Sequence, residues 1–223
     1  MKPTCLALAL MTATLLPGAV ATDRLVDAAD MMTDIMSAPD KGIPQDLLEK
    51  AQCIVVVPGV KKGAFIVGAK YGKGFMLCRK ESGVGWSAPA AIRVEGGSFG
   101  FQIGVSDTDV VMLVMNKSGV QKLLQSKFTL GADASVAGGP VGRDSSAETD
   151  AQLHAEMLTW SRSRGAFAGL SLQGATLRPD DDWNKEMYGK AMANRDIVMG
   201  EVAPPPAASK LLALLNKYSS RKA

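Results

Sequence analysis

The stretch "CIVVVPGVKKGAFIVGAKYGKGFMLC", from Cys53 to Cys78, decides how the chain is read. Its β-branched and aromatic residues come in short blocks punctuated by glycine, which is strand grammar. Taking "PGVKKG" (Pro58 to Gly63) and "GKG" (Gly72 to Gly74) as turns divides it into three short strands. Cys53 then faces Gly68, and Gly68 faces Cys78. The cysteines would flank a middle strand, roughly 9–10 Å apart at ~4.8 Å per strand step. A disulfide needs Cα atoms within about 7 Å, so this register opposes a bridge. The same meander puts Lys61, Lys62 and Lys80 near one end and Lys70 and Lys73 near the other.

No acid interrupts the basic residues between Cys53 and Lys80. Near an anionic surface such lysines contribute about 1 kcal/mol each. Turn lysines also serve simply to keep a sheet edge from aggregating.

Upstream, Leu25, Ala28, Ala29, Met32, Ile35 and Met36 recur at helical spacing, with Asp23, Asp27, Asp30 and Asp34 on the other face. Pro44 can open a second short helix that runs through Ala51. Downstream, "AAIRVEGGSFGFQIGV" and "DVVMLVMN" continue the strand pattern, and "KSGVQKLLQSK" reads as a short helix capped by Asn116 or Ser118. "FTLGADASVAGGPVGR" returns to strand and ends in a turn. "AQLHAEMLTWSRSRG" and "AFAGLSLQGATL" read as a closing pair of strands, the first of which could begin as helix. "DDDWNKEMYGKAMA" and "APPPAASKLLALLNKY" read as helices. The expected fold is α+β: a glycine-punctuated, mostly antiparallel sheet, barrel-like in one version, flanked by N- and C-terminal helices.

The first residues, "MKPTCLALALMTATLLPGAVATD", have a basic start, an apolar core and a small-x-small ending. That layout predicts a cleaved signal peptide over 1–21, with cleavage after Ala21. A single domain over 22–223 in a periplasmic or secreted protein is the expectation. With 25 basic and 22 acidic residues, the chain lacks the balance of a nucleic-acid-binding protein.

One catalytic motif matches literally. Gly96 to Gly100 spell G-x-S-x-G around Ser98, and the only histidine, His154, follows in hydrolase order. A nucleophile elbow requires a helix directly after its serine, whereas "FGFQIGVS" alternates like a strand. No catalytic residue is therefore expected. A lone histidine without a cysteine pair at ligand spacing gives no zinc site. Asp107 and Asp109 lack the Gly and Glu of a calcium loop. "GGPVGR" lacks the Lys-Ser/Thr of a phosphate loop, so no cofactor is expected.

Arg162 and Arg164 would share one face of a strand, and Arg143 could join them if the "GGPVG" turn folds back. The guanidinium fork suits phosphate. Ion pairing with Asp144, Glu148, Asp150 or Glu156 is the competing reading. In the tail, Leu211, Leu212 and Leu215 form a stripe with Lys210, Lys217, Arg221 and Lys222 around it. That stripe could dock on a protein partner, on a membrane or on its own domain.

The order of "AQCIVVVPGVKKGAFIVGAKYGKG", "GWSAPAAIRVEGGSFGFQIGVSDTDVVMLVMN", "LGADASVAGGPVGR" and "TWSRSRGAFAGLSLQGATL" resembles the SYLF-domain family, from about Leu25 to Leu215. The resemblance implies a non-enzymatic domain that binds phospholipids, phosphoinositides among them in eukaryotic members. Some fungal members also bind actin. This chain carries a bacterial-type export signal, and an exported protein would not meet actin, so actin binding is not carried over. The acidic face over Leu25 to Met36 also differs from the membrane-engaging N-terminal helix of eukaryotic members, since an anionic bilayer would repel it. The expected partner is an anionic phospholipid or membrane surface, with Arg143, Arg162, Arg164, Lys61 and Lys62 as candidate head-group ligands. A structural envelope protein that binds another protein is the alternative. A hydrolase using Ser98 and His154 is the third.

Overall fold

The computed structural model describes residues 19–38, 42–65, 67–99, 104–139, 155–163, 166–167, 172 and 174–219. Helices α1 (Ala19–Ser37) and α2 (Gln45–Lys50) precede strands β1 (Cys53–Phe65), β2 (Val67–Cys78), β3 (Ala90–Phe99) and β4 (Gly104–Val114). Helix α3 (Lys117–Leu123) follows, then the short strands β5 (Phe128–Thr129) and β6 (Val136–Gly138). Strands β7 (Met157–Ser163), β8 (Ala166–Phe167) and β9 (Thr176–Pro179) complete the sheet. Helices α4 (Asp181–Tyr188), α5 (Asn194–Met199) and α6 (Ser209–Tyr218) close the fold. The strands form one curled sheet in the order β5-β9-β3-β2-β1-β4-β7-β6, with β8 paired to β7. The described pairings are antiparallel except β6 with β7. This is the expected α+β architecture.

The opening stretch folds differently from the three-strand meander. It is one long hairpin, β1 against β2, with Cys53 directly opposite Cys78 and Phe65 opposite Val67. Neither "PGVKKG" nor "GKG" is a turn. Between Val56 and Lys61, β1 carries one residue more than β2, and the same excess recurs against β4. Pro58 and Gly59 form this bulge, and Gly59 takes a left-handed φ of 58°. Glycines on the neighbouring strand make room for it. A Cβ on Gly74 would run into the Val56 carbonyl, and one on Gly72 would lie 3.0 Å from Val60 Cγ2. Glycine here marks close approach inside a strand, not a chain reversal.

The corrected register brings the cysteines together. Their Cα atoms are 3.9 Å apart and the sulfurs form a disulfide. The expectation of two separated thiols is overturned because no middle strand exists. The Arg79 N–H donates to the Gln52 carbonyl at 2.8 Å, so the cysteines occupy a non-hydrogen-bonded pair, where side chains approach most closely.

β1 lies between β2 and β4 with both faces covered. Ile54 and Val56 pack in one core with Leu25, Met32 and Ile35 of α1 and with Leu211 and Leu215 of α6. Val55, Val57 and Val60 pack in a second core with Met112 of β4, Val120 and Leu123 of α3, and Ile197 of α5. Burial on both faces explains why β1 reads as a continuous apolar run rather than an alternation.

Arg79, just past β2, locks the ends of two helices to the sheet. Its Nη2 donates to the carbonyls of Leu48 (3.1 Å) and Ser219 (2.9 Å), and its Nε donates to that of Ala51 (3.4 Å). The guanidinium stacks on Trp86 at 4.0 Å, and Trp86 Nε1 donates to Ser219 Oγ at 3.0 Å. A cation at the C-terminal carbonyls of α2 and α6 meets the negative ends of both helix dipoles. The cap expected at Asn116 forms: its Oδ1 accepts from the Gly119 N–H at 2.8 Å. Asp180 caps α4, its Oδ1 accepting from the Trp183 N–H at 3.1 Å.

α1 begins at Ala19, ahead of the expected cleavage after Ala21. Ala21 is buried, and its N–H donates to Glu186 Oε1 at 3.1 Å. Cleavage at that point would remove this contact between α1 and α4.

The disulfide closes a loop with a sequence separation of 25. Loop-closure entropy for such a loop corresponds to about 3.5 kcal/mol. A Cys53→Ala/Cys78→Ala protein should unfold in urea with a stability lower by about that amount. Wild-type protein in dithiothreitol should be destabilised to a similar extent.

Candidate functional site

The hairpin register decides which charges meet. Lys62 pairs with Lys70, and Lys61 with Tyr71. Successive residues on a strand face opposite ways. Lys62 and Lys70 therefore share one face, while Lys61 and Tyr71 share the other. Lys61 and Lys62 are not a single patch. Lys70 comes to the same end of the sheet as Lys61 and Lys62, not to the opposite end as the meander required. Burial holds the Lys70 pKa below its ordinary 10.5, and the positive charge of Lys62 lowers it further. Two lysines directly opposed on a sheet repel each other. Tyr71, at 48% exposure, is among the most exposed large apolar side chains in the described residues.

The other basic residues of the segment go elsewhere. Lys73 Nζ pairs with the buried Asp180 carboxylate at 2.7 Å and lies 4.4 Å from the Trp183 ring centroid. Lys80 sits past Cys78, at the far end of the hairpin from Lys61 and Lys62.

Arg162 lies on β7 and is engaged by carboxylates. Its Nη2 is 3.0 Å from Asp34 Oδ2 on α1 and 3.5 Å from Asp109 Oδ2 on β4. Asp109 Oδ1 in turn accepts the Gly59 N–H of the bulge at 3.0 Å. Beside them, Arg24 Nη1 donates to the Pro58 carbonyl at 3.5 Å. The sequence offered other acids as ion-pair partners for Arg162. Of these, Glu156 is committed to Lys122 at 2.8 Å and to Ser118 Oγ at 2.6 Å. The Lys122 and Ser118 hydrogen bonds hold the Glu156 pKa below its ordinary value. The true partners, Asp34 and Asp109, could be found only by knowing that α1 crosses this face and that β4 neighbours β7.

Arg143, Arg164 and His154 lie outside the described residues. Ser98 sits on β3 opposite Gly68, so the G-x-S-x-G motif begins within a strand. Among the described residues, no group of three or more His, Cys, Asp or Glu side chains could hold a metal ion. No described helix is long and apolar enough to cross a membrane. The tail stripe docks within the molecule: Leu211 and Leu215 are fully buried in the core beneath α1, and Lys210 reaches Asp30.

A curled, mostly antiparallel sheet with N- and C-terminal helices places the fold in the α+β class. The sequence model of one family, described as "Ysc84: Las17-binding protein actin regulator", matches residues 95–218. The chain belongs to this Ysc84/SYLF-domain family. It is 35% identical over 192 residues to "SH3 domain-containing YSC84-like protein 1" of Rattus norvegicus, covering 85% of this chain and 56% of that protein. The protein of the same name from Homo sapiens is 33% identical over the same shares. "LAS seventeen-binding protein 3" of Saccharomyces cerevisiae is 32% identical over 179 residues, 79% of this chain and 39% of that protein. The chain spans about half the length of the curated relatives it matches. These relatives carry the names of SH3-domain and actin-regulator proteins, not of enzymes.

Arg162 should behave as a positioning residue for the bulge. Arg162→Gln removes charge-assisted bonds to two carboxylates and should cost about 1–2 kcal/mol in urea unfolding. Asp109→Ala should cost at least as much, because the Gly59 N–H loses its acceptor.

Proposed function

We propose that this protein is a non-catalytic domain that binds anionic phospholipid head groups in the bacterial envelope, after export through the signal at residues 1–21. The observation that carries this reading is the direct opposition of Lys62 and Lys70 on one face at the end of the sheet, with Lys61 at the same end on the other face. Membership of the SYLF-domain family supports the reading as a class. The Cys53–Cys78 disulfide suits an oxidising compartment. Arg162 is left out of the proposed site because Asp34 and Asp109 hold it. Arg143 and Arg164 stay in it on sequence grounds alone. The names of the relatives, which speak of binding Las17, support a protein partner as the second reading.

Charge state follows from the Lys70 shift. Its folded pKa is lower than its unfolded one, so the folded state holds this proton less tightly. The contribution of Lys70 to stability therefore improves as pH rises from the lowered value towards 10.5. An anionic surface acts in the opposite sense. Binding draws a proton onto Lys70 and weakens as pH climbs.

Sedimentation with vesicles tests both statements. Pelleting should occur with phosphatidylglycerol and not with phosphatidylcholine, and should fade at high salt, where exposed charges are screened. Lys62→Gln/Lys70→Gln should weaken it about 30-fold, from about 1 kcal/mol per lysine. Salt-insensitive pelleting, or none, would turn the reading to the protein partner. Lys62→Gln alone should raise the Lys70 pKa, read by NMR at Nζ.

A further inference from the structure

At the disulfide end of the hairpin, away from Lys61 and Lys62, lies a pocket of about 460 Å³. Its walls come from the start of β1, the residues after β2, α3 and α5. The buried Cys53–Cys78 pair, Val120 and Leu124 line its apolar side. Besides Arg79, which is held by the helix-end carbonyls, Lys80 after β2, Lys117 on α3 and Arg195 on α5 line it, and Glu81 is the one acid among the lining residues. All three cations are exposed, and none forms an ion pair among the described residues. Lys122 on the same helix α3 shows the contrast, since Glu156 holds it at 2.8 Å.

Met199, Arg79, Lys80 and Glu81 line both this pocket and a neighbouring one of about 420 Å³. The second pocket has Ala88, Val198, Val202 and Pro204 on its apolar side and adds one further acid, Glu201. Met199 is 40% exposed. Methionine is suited to such a place because its unbranched thioether adapts to variable apolar groups. Unpaired cations beside apolar walls, in a cleft of ligand size, fit a molecule with one anionic end and one apolar end.

We infer that these joined pockets bind a single-chain anionic amphiphile, with its carboxylate or phosphate held by Lys80, Lys117 and Arg195 and its chain running past Met199 into the second pocket. The site does not depend on the head-group reading above. It lies at the other end of β1, about 25 Å from Lys61 at ~3.3 Å per strand residue.

The test uses the full chain with ¹³C-methyl methionine, titrated with decanoate below its micelle-forming concentration, with decanol and with inorganic phosphate. Decanoate should shift the Met199 methyl signal. Decanol and phosphate should each bind about 10-fold more weakly or worse, since each lacks one half of the match. Lys117→Gln/Arg195→Gln should weaken decanoate about 10-fold, as two partly exposed ion pairs would supply. These side chains are exposed, and an unchanged thermal melt should confirm that the fold is intact. Lys62→Gln/Lys70→Gln should leave decanoate binding as it was, so failure at one site is separable from failure at the other. The proposal is overturned by an unmoved Met199 signal, by decanol or phosphate binding as tightly as decanoate, or by decanoate binding that ignores the Lys117/Arg195 pair.

Discussion

One extra residue in β1 governs the molecule. The bulge at Pro58–Gly59 offsets the two halves of the strand against both of its neighbours. A one-residue slip exchanges the faces of every residue beyond it. Without the bulge, Lys62 would look towards α1 and Lys61 towards the second core. The arrangement is held from outside the strand. Proline has no N–H to leave unpaired, the Gly59 N–H goes to Asp109, and Arg162 ties Asp109 to α1 through Asp34. A carboxylate on β4 and an arginine on β7 thus fix the twist of a strand that neither belongs to.

The sequence was most legible where one rule acted alone. α1 and α6 follow from the spacing of their apolar residues. The α3 cap follows from Asn116. The strand character of the central region is plain in its composition. What escaped was the meaning of glycine between Cys53 and Cys78. Glycine marks a turn, a bulge or a close approach, and only the neighbour strands tell these apart. Reading them as turns gives a middle strand that does not exist, separates two bonded cysteines and puts Lys70 at the wrong end of the sheet. Arg162 stood out in the sequence, but its partners lie 128 and 53 residues away and belong to elements whose adjacency no local pattern reveals. The pocket beside the disulfide was invisible for the same reason, because Lys80, Lys117 and Arg195 share no motif.

The charges are sorted by position. The acids along α1 are not a free anionic face: Asp27 meets Arg24, Asp34 meets Arg162 and Asp30 meets Lys210. The first pair lies within α1, and the other two fasten the helix to β7 and to α6, the helix that shares its core. Lys80, Lys117 and Arg195, which form no ion pair among the described residues, stand instead around the pocket at the base of the hairpin. A protein with nearly balanced composition can in this way present a local positive field, because the balance is struck between residues that hold the structure together.

The Cys53–Cys78 bond also has a topological consequence. With its ends tied at the base, the hairpin is a covalent ring. A protease that nicks the backbone between Lys61 and Lys70 releases nothing, and both halves stay on one molecule with their ladder hydrogen bonds in place. The far end of the hairpin is therefore the part of this sheet that can be cut or lengthened by insertion, with Lys61, Lys62 and Lys70 retained, while the strands behind it keep their places.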